Sequence, residues 1–461
     1  MTRHLIRNVT LDGRVIDLAI EHGLIAEVAA GLRGEELFDA RGASGLPGLH
    51  DHHIHLLATA AQRQSVQLDG CGDLADVAQA LRVGAARLAP GAWLRATGYH
   101  ERMAGLPDAR GLDEIVADRP VRVQHQTGGL WLLNSAALAR LGGGDWPQGA
   151  EQSGDGAPTG RFYRCDAWLS DRIGRTVPDL GELGRALAAR GVTGVTDASV
   201  STDAASAALL AEGVRDGRLP LRLTLMSGGP LAAPEDGAFA VGPLKLLLDD
   251  HALPAPDEIA ARIGEARRQG RTVAVHCVTA GELAITLAGF ADAGSVAGDR
   301  IEHGSVIPAE AIGVIRELGL TVVTQSGFIA TRGERYRALV DAAEQPDLYR
   351  CATLLAAGVP VGGSSDAPYG DLDPWAGIRA AITRRTAGGH VLGEAEAVSA
   401  PRALALYLTA PDAPGGAPRR ICAGAAADLC LIDGPVEAAL TAPAGPAVVA
   451  TVVGGAVSYR G

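Results

Sequence analysis

The chain has 461 residues, a net charge of −12 and 47% hydrophobic residues, with aromatics only 4% of the total. Holding phosphates needs grouped Lys and Arg, so an acidic balance without a basic cluster argues against a nucleic-acid partner. Six scattered cysteines with no Cys-x-x-Cys pair argue against a disulfide framework or a zinc knot, and the lack of an apolar run near the N-terminus or of membrane-spanning length predicts a cytoplasmic protein.

In chain order, the first ~45 residues read as short strands. Segments 4–11 and 14–21 flank Asp12-Gly13, a hairpin signal. A strand over 46–57 ends in Pro47-Gly-Leu-His50-Asp51-His52-His53-Ile54-His55. An amphipathic helix over 73–88 sets Leu74, Val77, Leu81, Ala85 and Leu88 on one face. Residues of about 90–175, rich in Gly, Pro and Trp, read as an insertion shaping a substrate pocket, with Tyr99, His100, His125 and Trp131 as candidate contacts. From 180 onward a unit of helix, Gly and apolar strand recurs around Gly191, Gly270, Gly319 and Gly358, as left-handed glycines past helix ends predict. Strands expected at 46–57, 192–198, 220–226, 243–249, 272–278, 300–305, 321–325 and 359–366 make eight, which favours a (β/α)₈ TIM barrel over an open doubly wound sheet. The last ~40 residues return to strands at 428–432, 448–453 and 456–459. The predicted division is a composite β-sandwich of 1–45 with 420–461, and a barrel over 46–419.

Residues two apart on a strand face one side, so His53 and His55 can share a metal ion, while His50 and His52 face elsewhere and read as structural. His276, His303 and Asp366 also fall near strand ends; each alone is as readily a rim residue or, for Asp366, a helix cap. Lys245 lies in the apolar run Gly-Pro-Leu-Lys-Leu-Leu-Leu, where burying an ammonium costs several kcal/mol. Either it snorkels to the rim, or its amine is neutral enough to add CO₂ and form a carbamate that can bridge two cations. All six fall toward the C-terminal ends of barrel strands, the face where barrels build active sites, and together they predict a metal site.

This set resembles the amidohydrolase superfamily, whose first-strand pattern Pro47-Gly48…Asp51-His52-His53-Ile54-His55 matches. The resemblance implies two divalent metal ions, with zinc the expected metal, held by His53, His55, carbamylated Lys245, His276, His303 and Asp366. It also implies a β domain composed of both termini. Within the superfamily the chain is similar to the branch of N-substituted formamide deformylases and D-aminoacylase-like enzymes. The residues that carry this are Leu106-Pro107, Leu112-Asp113, Asn134-Ser135-Ala136-Ala137-Leu138, Pro158-Thr159-Gly160, Arg300-Ile301-Glu302-His303 and Ser365-Asp366-Ala367-Pro368. Gly129 stands where the branch usually has His, with His125 four residues earlier, which points to a different substrate.

The implied activity is hydrolysis of a non-peptide C–N bond in an amide, N-acyl or N-formyl small molecule, with Asp366 as general base and then acid, in a homodimer or higher assembly. A mononuclear deaminase is the nearest rival, but Thr279 stands where deaminases carry Glu, and Glu282 lies farther on. Lactone, ester or phosphotriester hydrolysis fits the same site, and a metal-free scaffold is the non-enzymatic alternative. After the seventh strand, Arg332 and Tyr336 are candidate substrate contacts, the arginine for a carboxylate.

Overall fold

A computed structural model describes residues 3–174 and 177–461. Residues 1–2 and 175–176, at the edges of the expected β domain and insertion, lie outside the described residues. The chain forms two units, one running to Leu56 and resuming at Leu180, the other comprising Leu57–Asp179.

The first unit carries a parallel sheet of eight strands in the order of the chain. They are Leu49–Ile54, Val192–Asp197, Arg222–Ser227, Ala240–Leu246, Val273–Cys277, Arg300–His303, Thr321–Thr324 and Val361–Gly363. Each overlaps one of the eight strands expected from the sequence. Alternating helices, such as Leu180–Ala188 with Leu183 and Leu187 buried, cover the outside. Two-sided burial explains why these strands read as apolar runs rather than as alternating patterns. The sheet closes at its C-terminal end, where Asp366 N–H donates to the His53 carbonyl and His55 N–H to the Ala367 carbonyl, each at 2.8 Å. This is the (β/α)₈ barrel. Gly191, Gly270, Gly319 and Gly358 all have positive φ (63–80°), so each helix ends in the left-handed residue the sequence announced.

Both termini build a second sheet. Leu429–Ile432 runs antiparallel to Ser44–Pro47 and joins Val448–Val453 and Ala456–Arg460 to His4–Leu11, Arg14–Glu21 and Leu24–Ala29. Ile6, Leu18, Ile25 and Phe38 from one end of the chain share an apolar core with Leu429, Leu431 and Val452 from the other. The Asp12-Gly13 hairpin forms as expected, with φ of 48° and 76°, the double positive φ that a two-residue hairpin with native twist requires.

Leu57–Asp179 has its own six-stranded mixed sheet, ordered Ala150–Gln152, Pro158–Tyr163, Leu130–Leu133, Val121–His125, Leu94–Tyr99 and Val66–Gln67. The helix Leu74–Ala86, capped by Asp73, lays Val77, Leu81 and Ala85 on Leu94, Val121 and Val123. It therefore belongs to this unit rather than standing before it. Among the described residues no helix is long and apolar enough to cross a membrane.

Asn134 is the polar centre of the second unit. Fully buried, its Oδ1 accepts from Val121 N–H and Ala137 N–H, and its Nδ2 donates to the Val116 and Arg119 carbonyls, all at 2.9 Å. It caps the helix Ser135–Leu141 and ties it to the neighbouring strand. Asn134→Ala leaves four buried backbone groups unpaired and is expected to cost about 3 kcal/mol or more. Urea unfolding should show the loss, with early proteolysis confined to Leu57–Asp179; a variant within about 1 kcal/mol of the parent would contradict it.

Candidate metal centre

Five of the six expected ligands meet at the closed mouth of the barrel by direct contact. Asp366 Oδ1 lies 3.2 Å from His55 Nε2 and 3.5 Å from His53 Nε2, and Asp366 Oδ2 lies 3.8 Å from His303 Nδ1. The His53 ring stands 4.7 Å from that of His303, which stands 4.5 Å from that of His276. Ligand atoms of His53, His55 and Asp366 lie within 4.8 Å of one another. Lys245 pairs in register with Ala274, two residues before His276, so both side chains face the barrel interior. It is charge-coupled to His53, His276, His303 and Asp366.

Strand alternation alone does not aim all of these side chains. His303 follows Glu302 directly, so in a regular strand the two would face opposite ways. A φ of 69° at His303 turns its side chain into the site, and Asp366 has a φ of 52°. Strain of this kind in non-glycine residues, of order 1–3 kcal/mol each, collects at functional sites.

Hydrogen bonds fix the tautomers of His53 and His303. His53 donates Nδ1–H to the Glu302 carboxylate, which Arg300 holds through Nε at 2.5 Å. His303 Nδ1 lies 2.9 Å from Gln325 Oε1; the Gln325 amide is oriented by donating to Ser364 Oγ, which itself donates to the Thr324 carbonyl. Both rings thus carry their proton on Nδ1 and keep the Nε2 lone pair free, the arrangement that supports ligation. His55 Nδ1 meets Ser199 Oγ at 3.0 Å. Burial holds His53 and His303 well below the ordinary histidine range, and burial followed by the Lys245 charge lowers His276 to about 4. Burial also pushes the Lys245 amine down to about 8.

The donor set fits a cation. His53 Nε2, Asp366 Oδ1 and Lys245 Nζ are all buried without a hydrogen-bond partner. The His53 lone pair faces a carboxylate oxygen with no proton between them, which is repulsive unless a positive ion lies there.

The neighbouring groups are structural. His50 and His52 are buried and tied to Thr196 and Thr409, as their alternation with His53 and His55 suggested. Asp51 accepts from both the backbone and the hydroxyl of Ser365, knitting the first strand to the last, and burial raises its carboxyl to about 6. Glu282 turns back to accept from Val278 N–H and Thr279 N–H at the start of helix Ala280–Ala293, so its carboxylate is spent on a cap.

Among the expected substrate contacts, several polar atoms have internal uses. The buried Tyr99 hydroxyl donates to the Gly105 carbonyl, the Trp131 indole N–H donates to Asp166, and Tyr336 shares a hydrogen bond with Tyr349. These aromatics therefore serve packing. Arg332 stacks on Phe328 and donates to the carbonyl of Tyr369, whose ring lies edge-on to His55. His100 and His125 meet each other within the second unit. Sequence reasoning had not singled out Glu302, Gln325, Ser199 or Tyr369. For Glu302 a signal existed, since Arg300 and Glu302 are two apart and so place opposite charges on one face of a buried strand.

Glu302→Gln removes the anion that both His53 and Arg300 face. Affinity for a metal ion at this centre is expected to fall 10–100-fold, measured by competition with a chelator. Unchanged affinity would make Glu302 a bystander.

The amidohydrolase family model Amidohydro_3 matches residues 36–459. The chain is 26% identical to N-substituted formamide deformylase from Arthrobacter pascens over 92% of this chain and 90% of that protein. It is also 26% identical to putative amidohydrolase YtcJ from Bacillus subtilis (strain 168), over 81% of this chain and 80% of the relative. In fold it is similar to an uncharacterized metal-dependent hydrolase from Pyrococcus horikoshii OT3, with a TM-score of 0.77 at 19% identity, covering 96% of this chain and 99% of the other.

Proposed function

From the premise that this chain belongs to the amidohydrolase family and is a metal-dependent hydrolase of C–N bonds, we propose that it cleaves an amide, N-acyl or N-formyl small molecule at a two-cation zinc centre. The residues that would hold the cations are His53, His55, His276, His303 and Asp366, with Lys245 as a carbamate. The reading is carried by the trio of buried, unpartnered atoms His53 Nε2, Asp366 Oδ1 and Lys245 Nζ in one cluster.

Cations held there would supply a water acidic enough to attack at neutral pH and would polarise the substrate carbonyl. The chain's own residues do the rest. Asp366 takes the proton released as water adds to the carbonyl carbon and delivers it to the nitrogen as the C–N bond breaks, giving an acid and an amine. Glu302 and Gln325 keep His53 and His303 in the tautomer that offers Nε2. Lys245 is kept partly neutral by burial. At an amine pKa of about 8, roughly a tenth is unprotonated at pH 7, against well under a thousandth for a free lysine, and only the unprotonated amine can add CO₂. The ring of Tyr369 beside His55, with Arg332 on its carbonyl, forms one wall for the substrate.

The capped Glu282 favours this reading over a deaminase, since its carboxylate already serves the helix. The formamide deformylase similarity favours an N-formyl or N-acyl substrate. The test is a screen of zinc-loaded protein against N-formyl amines, N-acyl amines, cyclic amides, lactones and phosphotriesters. Turnover confined to lactones or phosphotriesters would overturn the C–N assignment.

A further inference from the structure

We infer, resting on the metal-centre reading above, that Asp197 acting through Ser199 is the positioning residue of His55. Asp197 ends the strand Val192–Asp197 and stands in register with Ile54, the residue before His55. Its carboxylate is buried, with the residue only 1% exposed. Oδ2 accepts Leu56 N–H at 2.7 Å, and Oδ1 accepts Ser199 N–H at 3.0 Å. Ser199 in turn places its Oγ 3.0 Å from His55 Nδ1. The imidazole is thus held through the backbone that follows it and through its ring nitrogen, and both holds lead back to one carboxylate.

A turn does not account for this carboxylate. The bond from Ser199 N–H, two residues on, is an ordinary Asx turn that asparagine closes as well. The bond from Leu56 N–H comes from 141 residues away, on the neighbouring strand's exit. Two N–H groups converging from different strands need two acceptor oxygens, which a carboxylate has and an amide lacks. Among the described residues no cation pairs with Asp197, so the fold carries a buried anion for the sake of these bonds. Asp51 has the same design on the first strand, where it accepts from His53 N–H at 3.2 Å and from Ser365 N–H at 3.0 Å.

His55 needs such a hold more than its neighbours do. His53 and His303 face a carboxylate and an amide oxygen, which only accept and so dictate the ring proton. His55 faces a hydroxyl, which can donate or accept, so the proton on its ring depends on where that hydroxyl is fixed. Donation of Nδ1–H to Ser199 leaves Nε2 toward Asp366 Oδ1, 3.2 Å away, the side on which a cation would sit.

Asp197→Asn keeps the shape and turns one acceptor into a donor. In zinc-free protein in mildly alkaline buffer, nitrogen NMR of the histidine rings, with His55 assigned through His55→Gln, should place the His55 proton on Nδ1 in the parent. In Asp197→Asn that proton should be shared between Nδ1 and Nε2. Zinc affinity, measured by competition with a chelator, should fall 10–100-fold. Ser199→Ala leaves both backbone bonds of Asp197 in place and should give the same change in the ring proton with a smaller loss of affinity. It carries the test should Asp197→Asn not fold. A purely structural role would lower the unfolding midpoint and leave the His55 signals and the zinc affinity of the folded variants at parental values, and that result would overturn the assignment. The ring proton is read without zinc, so a parent that binds no zinc would sink the metal-centre reading and still leave the hold on His55 open to measurement.

Discussion

Lys245→Ala is expected to lower turnover by on the order of a thousandfold or more and, under the proposed two-cation centre, to reduce bound zinc to at most one ion per chain. Its Nζ is buried with no partner in a cluster that otherwise consists of imidazoles and a carboxylate able to hold a metal ion. As an ammonium it would repel the cations; as a carbamate it supplies two anionic oxygens. A short carboxylic acid such as acetate should restore part of the activity of the alanine variant, because it fills the space with the missing oxygens. Full turnover without rescue would end the bridging role.

The same lysine gives a pH signature in metal-free protein. Its pKa falls from 10.5 when unfolded to about 8 when folded, through burial. Between those values the unfolded chain binds the proton and the folded chain does not, so stability rises with pH across that window. Below about pH 8 the folded state carries the full penalty of a buried ammonium, about 3 kcal/mol for a shift of this size. Lys245→Met, which keeps the volume without the charge, should therefore gain most over the parent at pH 7. That gain should shrink by about 3 kcal/mol as pH approaches 10.5. A difference independent of pH would mean that the amine is solvated.

How much of this was readable from the sequence depends on how local the signal is. His53 and His55 were legible because strand alternation needs only two residues. Lys245 was legible because a charge within an apolar strand is costly anywhere. The eight strands were legible from their helix and Gly punctuation, although their ends differ from those expected by a few residues. The aim of His303 and Asp366 was not, because it depends on positive φ at non-glycine residues, imposed by the closure of the barrel rather than by their own preference. Leu57–Asp179 was opaque for another reason. Its edge strands are two or three residues long and its sheet mixes parallel with antiparallel pairs, so no period emerges. Aromatics such as Tyr99 and Trp131 suggested a pocket, but the partners of their hydroxyl and N–H are 6 and 35 residues away and could not be read from composition.

Asp366→Asn separates binding from chemistry at the same centre. The amide keeps the shape, and the backbone bond from Asp366 N–H to His53 can remain. What is lost is the negative charge beside His53 and His55 and the capacity to accept and return a proton. A proton carrier contributes 10²–10⁴-fold, so kcat is expected to fall by about 10³, with KM changing only a few-fold. Zinc content should fall less than in Lys245→Ala, because one ligand weakens instead of a bridge disappearing. Metal-free Asp366→Asn should be no less stable than the parent: the Oδ1 that faces two imidazole nitrogens is an unpartnered buried acceptor, and an amide there can donate to His53 Nε2. Function at this position thus opposes stability, the trade expected of a site built for an ion. Turnover within tenfold of the parent at equal zinc content would remove Asp366 from the proton path and leave it as a ligand alone.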